Sequence, residues 1–175
     1  VSVGRSKSRR FVTMEIASTL ITETRVLEAQ EPNGSFRAVI PRAPATEYDV
    51  AHHQDTFYVR INTGAPNFKL MAAPVATSAD SSTWRQIIPH REDVFLADID
   101  VFSEYLVVGE RRDALKRLRI IRWSDSTEHA VHLDEPVYVI RATQNPEFDT
   151  TKLRFEYGSL TTPDSTFEYD MASRE

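Results

Sequence analysis

The sequence predicts an all-β fold built as a run of about four β-propeller blades. Three observations predict it: strand-like runs recur about every 47 residues, each repeat holds up to four such runs, and turn-forming residues separate them. Units of four short strands at this spacing are typical of propeller blades. Apolar and polar residues alternate along most of the runs, which indicates half-buried antiparallel sheets.

The runs follow one order in every repeat. The first runs are residues 1–3, 48–51, 94–97 and 137–140. The second runs, rich in β-branched and aromatic residues, are 11–16, 57–61, 106–110 and 153–157. The third runs are 25–29, 68–72, 118–121 and 167–171, and the fourth are 38–42, 86–91 and, more weakly, 130–133. Gly, Pro, Asn and Asp mark turns at 31–34, 62–67 and 162–165.

The phase of the repeat predicts where the blades begin and end. We expect a partial propeller over 1–175, with blades at about 1–46, 47–93, 94–136 and 137–175, the last one incomplete. Because the chain starts at Val1 and its fourth repeat stops after a third strand, we expect a fragment of a larger protein. An open arc exposes two blade faces and a strand edge, so we also expect self-association.

The composition of the chain excludes several classes of partner and of chemistry. The net charge of −5 argues against nucleic acid or an anionic membrane as the main partner, because both favour a basic surface. No apolar stretch approaches the 18 or so residues of a membrane-spanning helix. Cysteine is absent, which excludes disulfides and thiolate chemistry and fits a cytoplasmic protein.

No catalytic residue, metal site or cofactor site is predicted. Gly158-Ser159 is the nearest match to a nucleophile elbow, but Leu160 follows, and a turn at a strand end explains the pair. The adjacent His52 and His53 point to opposite faces of a strand, so they do not jointly hold a metal. The remaining histidine pair, His129 and His132 near Asp134-Glu135, lacks the spacing of a helical zinc motif.

Charged pairs and clusters are interpreted as ordinary surface. Glycosidases need two carboxyl groups near the cleaved bond, and the sequence has three carboxylate pairs: Glu92-Asp93, Asp98/Asp100 and Asp134-Glu135. We expect all three pairs in connections between strands, where acidic residues are common. The basic residues Arg5, Lys7, Arg9, Arg10, Arg111 and Arg112 lie in predicted hairpin loops without interleaved aromatic residues, so we interpret them as solvated turns.

Three basic side chains occupy matching positions just past an Ile-Pro pair. These residues, Arg42, His90 and Arg91, are candidates to face a central tunnel or a neighbouring domain. Trp84, Trp123 and the aromatic residues on strands are most simply core between blades.

Several stretches resemble the propeller of oligopeptidase B (protease II), in the prolyl oligopeptidase family of serine peptidases. They are residues 67–71 with Trp84 and 88–94, residues 106–111 with 118–119, and residues 145–148 with 153–163. The stretch that ends at 167–171 resembles the final blade, just before the chain of those enzymes re-enters a catalytic α/β-hydrolase domain.

The resemblance implies a parent with a seven-bladed propeller that lies over the active site as a lid. It also implies cleavage of short peptides after Lys or Arg, with the Ser, Asp and His of the reaction in a hydrolase domain that is absent here. The chain itself would then be non-catalytic, and its partner would be that domain. The alternatives are a stand-alone interaction scaffold, disfavoured because recurrent Gly-His and Trp-Asp pairs are missing, and a propeller glycosidase, which requires a closed ring.

Overall fold

The first half of the described chain forms two four-stranded antiparallel sheets. A computed structural model describes residues 1–18, 21–133 and 135–175. The first sheet contains β1 (Ser2–Arg5), β2 (Phe11–Ser18), β3 (Ile21–Glu28) and β4 (Arg37–Ala38). The second contains β5 (Tyr48–His53), β6 (Thr56–Ile61), β7 (Lys69–Pro74) and β8 (Arg85–Ile88), with single 3-10 turns at Val75–Thr77 and Ser81–Thr83.

The second half repeats this arrangement. The third sheet contains β9 (Phe95–Val101), β10 (Tyr105–Arg112), β11 (Leu115–Arg122) and β12 (Glu128–Ala130). The fourth contains β13 (Tyr138–Ala142), β14 (Lys152–Ser159) and β15 (Ser165–Asp170). In every sheet the strands lie side by side in chain order and pair antiparallel, which confirms the predicted all-β propeller class with an incomplete last sheet.

The fourth strands are shorter than the sequence predicts. The run predicted over 38–42 forms a ladder only at Arg37–Ala38, and the run over 86–91 ends at Ile88. Pro41 and Pro89 have no backbone N–H to donate, so neither segment continues the ladder.

The chain divides into two compact units, Val1–Arg91 and Glu92–Glu175. In the first unit the two sheets share a core that includes Phe11, Phe57, Val59 and Tyr48, each at most 2% exposed. The hydroxyl of Tyr48 accepts a hydrogen bond from the backbone N–H of Thr24 (2.7 Å). Tyr48 of the second sheet therefore provides the acceptor for a buried backbone N–H of the first sheet.

The second unit has its own core. Its fully buried members include Phe102, Leu118, Ile120, Ile140 and Leu153, contributed by both of its sheets and the turn after β9. Along β14 the buried residues alternate with exposed charged ones, as expected for a sheet with one face in the core. Among the described residues, none of the helices is long and apolar enough to cross a membrane.

Candidate functional site

A polar network joins the two sheets of the first unit at one end. Ser8, in the turn after β1, makes a 2.7 Å hydrogen bond between its Oγ and Nδ1 of His52 on β5. Ser8 Oγ also lies 3.0 Å from Ser6 Oγ. Arg10 donates to the carboxylate of Asp55 (2.8 Å) and pairs with Glu28 (3.2 Å). The contacts of Ser8 with His52 and of Arg10 with Asp55 join residues almost one repeat apart, so they fix neighbouring sheets to each other.

His52 is held neutral in this network. Its ring packs edge-on against Phe11 (4.8 Å between centroids) and Phe57 (5.6 Å). Burial first, and the charge of Arg10 second, lower the pKa of His52 to about 4. A Ser–His hydrogen bond is also half of a nucleophile–base pair. In the described residues Nε2 of His52 is buried without a hydrogen-bond partner.

A second set of contacts connects the sheets at the segment after β7. Arg37 donates to the backbone carbonyl of Val75 (2.8 Å) and to Oγ of Ser78 (3.1 Å). The indole N–H of Trp84 donates to the carbonyl of Ser78 (3.0 Å). Arg37 therefore fixes the segment between β7 and β8 to the first sheet, and the hydrogen bond of Trp84 closes the segment on itself.

Next to this segment lies an open cleft of about 500 Å³. Its walls include Ile40 and Pro41 from the connection after β4, Ile61 and Met71 from the second sheet, and Trp84. This volume is within the usual range of small-ligand sites. Sequence patterns do not predict this cleft, because its walls come from segments that meet only through sheet packing.

The three predicted tunnel-facing or interface residues lie in loops of the first unit. Arg42 is exposed in the connection between β4 and β5, whereas His90 and Arg91 follow β8 and are half-buried. Asn67 donates to the backbone carbonyl of Arg91 (3.1 Å) and so positions that loop. In the part of the chain that the structure describes, Nε2 of His90 is buried without a hydrogen-bond partner. Which surface these residues face stays a prediction.

In the second unit, Glu135 is the centre of a hydroxyl cluster. Its carboxylate accepts hydrogen bonds from Thr161 (2.7 Å), Thr162 (2.8 Å) and Tyr157 (3.1 Å). Hydrogen bonds from the side chains of Ser159, Thr161 and Thr162 lower the pKa of Glu135 to about 2. The carboxylate therefore stays charged and fixes the loop after β14. Sequence analysis considered Glu135 as half of a carboxylate pair and as a neighbour of the histidine pair His129 and His132; its neighbour Asp134 lies outside the described residues.

Ser159 has a structural role in the same loop. Its Oγ accepts from the backbone N–H groups of Thr161 (3.1 Å) and Thr162 (2.9 Å). A hydroxyl that closes a turn in this way is a local capping group. The geometry agrees with the interpretation of Gly158-Ser159 as a strand-ending turn.

Some of the charged residues highlighted in the sequence form ion pairs. Their predicted positions are partly wrong, because Asp98 and Asp100 lie on β9 rather than in a connection, and Arg111 and Arg112 lie on β10 rather than in a loop. Asp93 pairs with Arg112 (3.1 Å), and Asp98 pairs with Lys116 across the third sheet. Arg111 lies over the ring of Phe95, 5.0 Å from its centroid. Among the described residues, no three His, Cys, Asp or Glu side chains are placed to hold a metal ion.

Known proteins similar to this chain are peptidases. The chain is 36% identical over its whole length to dipeptidyl aminopeptidase BI of Pseudoxanthomonas mexicana, of which it covers 24%. It is 25% identical, over 99% of its length, to Protease 2 of Moraxella lacunata, again covering 24%. The chain thus spans about a quarter of the length of the curated relatives it matches.

Solved structures similar to this chain are also peptidases. Oligopeptidase B from Trypanosoma brucei, in a closed form with covalently bound antipain, superposes with a TM-score of 0.89 at 29% identity. Oligopeptidase B from Leishmania major gives the same TM-score at 26% identity. Each comparison covers 99% of this chain and 26% of the other. The sequence profile described as "Prolyl oligopeptidase, N-terminal beta-propeller domain" matches residues 1–175, and the chain belongs to that family.

Proposed function

We propose that this chain is the substrate-gating propeller portion of a serine-type oligopeptidase and is itself non-catalytic. The observation that carries the proposal is the family match over residues 1–175, together with the high structural similarity to oligopeptidase B. A propeller beside an active site acts on catalysis indirectly, because a lid excludes bulky substrates and water. Its partner in the full-length protein is a catalytic hydrolase domain.

The gating role is tested by the length dependence of cleavage. The full-length protein is expected to cleave a short peptide reporter much faster than the same cleavage sequence placed in a folded protein loop. Equal rates on both substrates would contradict gating. A full-length protein with no peptidase activity on either substrate would favour the alternative, a stand-alone interaction scaffold.

The substrate class that we propose is short peptides with Lys or Arg before the cleaved bond, as the resemblance to oligopeptidase B implies. The 36% identity to a dipeptidyl aminopeptidase favours a second candidate, removal of dipeptides from a free N-terminus. An N-blocked reporter that ends in Arg and an unblocked dipeptidyl reporter that ends in Arg separate the two. The endopeptidase cleaves the blocked reporter, whereas a dipeptidyl aminopeptidase requires the free amine. A matched reporter that ends in Leu tests the preference for basic residues.

Arg42, His90 and Arg91 are proposed to face the central tunnel or the catalytic domain. Their recurrence past Ile-Pro and their loop positions support the proposal. Alanine variants in the full-length protein are expected to change the cleavage rate of long peptides more than that of short ones. Exposed Arg5, which donates to the backbone carbonyl of Arg9, provides the control.

The proposal also covers the blade boundaries, the cellular location and the oligomeric state of the chain. We propose blades at about 1–46, 47–93, 94–136 and 137–175, a cytoplasmic location, and self-association of the isolated chain. Self-association is supported by large apolar side chains that are exposed, among them Val3 (65%), Val139 (59%) and Leu160 (94%).

A further inference from the structure

The cleft of about 500 Å³ in the first unit has an apolar floor. Met71 and Trp84 pack against the shared core of the first two sheets and are half-buried, whereas Ile40 belongs to that core and is buried. Apolar surface that borders a core but stays open to solvent favours an apolar side chain of a ligand. The indole N–H of Trp84 is already used by the carbonyl of Ser78, which leaves the face of the ring for apolar contact.

One charged residue lines this cleft among the described residues, and it is a cation. Lys69 begins β7 on the same side of the sheet as Met71 and is half-buried. In the described part of the chain no carboxylate forms an ion pair with its ammonium group, unlike Lys116 or Lys152. An ammonium at the edge of an apolar surface complements an anionic group on a ligand.

Acidic residues near the cleft are engaged elsewhere. Asp80, beside the lining residues Ala79 and Ser81, accepts hydrogen bonds from the backbone N–H and the hydroxyl of Ser82. The side-chain amide of Asn62 lies 3.5 Å from the carboxylate of Glu47. The positive charge of Lys69 therefore distinguishes this cleft from a purely apolar one.

We propose that this cleft binds the C-terminal residue of a peptide, with an apolar side chain against Trp84 and Met71 and the carboxylate at Lys69. A free C-terminal carboxylate next to an aliphatic side chain matches both the charge and the apolar floor. The inference goes beyond the proposed peptidase function and does not depend on it, because binding here requires only the first unit's own residues.

The test uses fluorine NMR of the intact 175-residue chain labelled with 5-fluorotryptophan. The chain has two tryptophans, Trp84 and Trp123, so two resonances are expected, and a Trp123→Phe variant assigns them. The probes are acetyl-Ala-Leu with a free carboxylate and the same peptide with a C-terminal amide. The free acid is expected to shift the Trp84 resonance in a saturable manner and to leave Trp123 unchanged, whereas the amide binds at least ten-fold more weakly.

A Lys69→Met variant keeps the aliphatic stem and removes the charge. It is expected to lose the preference for the acid and to bind both probes with the weak affinity of the amide. Lys152→Met, in the second unit, is the matched control and should leave acid binding unchanged. No saturable shift at Trp84, equal binding of acid and amide, or an unchanged preference in the Lys69→Met variant would each overturn the proposal.

Discussion

His52 illustrates how one buried side chain connects the local chemistry of this chain to its stability. Burial of the ring against Phe11 and Phe57 and the nearby charge of Arg10 disfavour the charged form of the imidazole. The pKa of His52 is lowered to about 4, from an ordinary value of 6.5 in the unfolded chain. The unfolded chain therefore binds more protons than the folded chain between these two values, and stability falls as the pH is lowered through this window.

We expect the free energy of unfolding to decrease by about 1–2 kcal/mol between pH 6.5 and 4 because of His52, after allowance for solvent screening. Urea denaturation of the parent chain and of a His52→Gln variant at both pH values measures this contribution. The variant should lose that part of the pH dependence, because Gln does not titrate. Identical pH dependence in the two proteins would show that His52 is not the responsible group.

Gly109 is a residue whose role sequence analysis did not detect. It lies on the buried part of β10 at a β-bulge, and a Cβ added there would clash with the carboxylate of Asp98. Asp98 pairs with Lys116, so Gly109→Ala must displace an ion-paired carboxylate. A loss of about 1–2 kcal/mol in the free energy of unfolding is expected.

Two further variants control this prediction. Gly4→Ala, also on a strand, places its Cβ at an ordinary 3.4 Å from Thr13 Oγ1 and should be neutral or slightly stabilising. In the double variant Gly109→Ala/Asp98→Ala the clash is absent, so the two changes should be non-additive in thermal or urea denaturation. Additive effects would contradict a steric origin.

At the scale of the strand, the sequence predicts the second and third strands of each sheet well. In β6, for example, Phe57, Val59 and Ile61 belong to the shared core, whereas the residues between them do not. This period of two follows directly from the geometry of a strand. The short β4 and β8 were predicted too long: β8 ends immediately before Pro89, and β4 ends three residues before Pro41. The contacts of Ser8 with His52 and of Arg37 with Ser78 could not be predicted, since they depend on how one sheet packs on the next.

The contacts of Arg37 predict local rather than global stabilisation. In an Arg37→Met variant the segment between β7 and β8 loses its two hydrogen bonds to the first sheet. Amide hydrogen exchange in residues 75–84 is expected to become faster, whereas the exchange of the core strands is expected to stay unchanged. Arg42→Met, at an exposed position, is the control and should leave the exchange of this segment unchanged. Unchanged exchange in the Arg37 variant would show that this residue does not hold the segment.

At the scale of the whole molecule, exposed apolar side chains predict association of the isolated chain. Val3 and Val139 lie on first strands of their sheets and expose most of their side chains. Sedimentation velocity at increasing concentration is expected to show a reversible shift toward dimers, which a Val3→Lys/Val139→Lys variant weakens. A monodisperse monomer over the whole concentration range would contradict the prediction.

The central proposal is that this chain is the non-catalytic propeller portion of a serine peptidase. Its most direct test is labelling with a fluorophosphonate probe, which reacts with activated serine nucleophiles. We predict that the full-length protein is labelled at one serine outside residues 1–175, and that the isolated chain, including Ser8 and Ser159, is not labelled. Labelling of the isolated chain, or a full-length protein that does not react, would contradict the account.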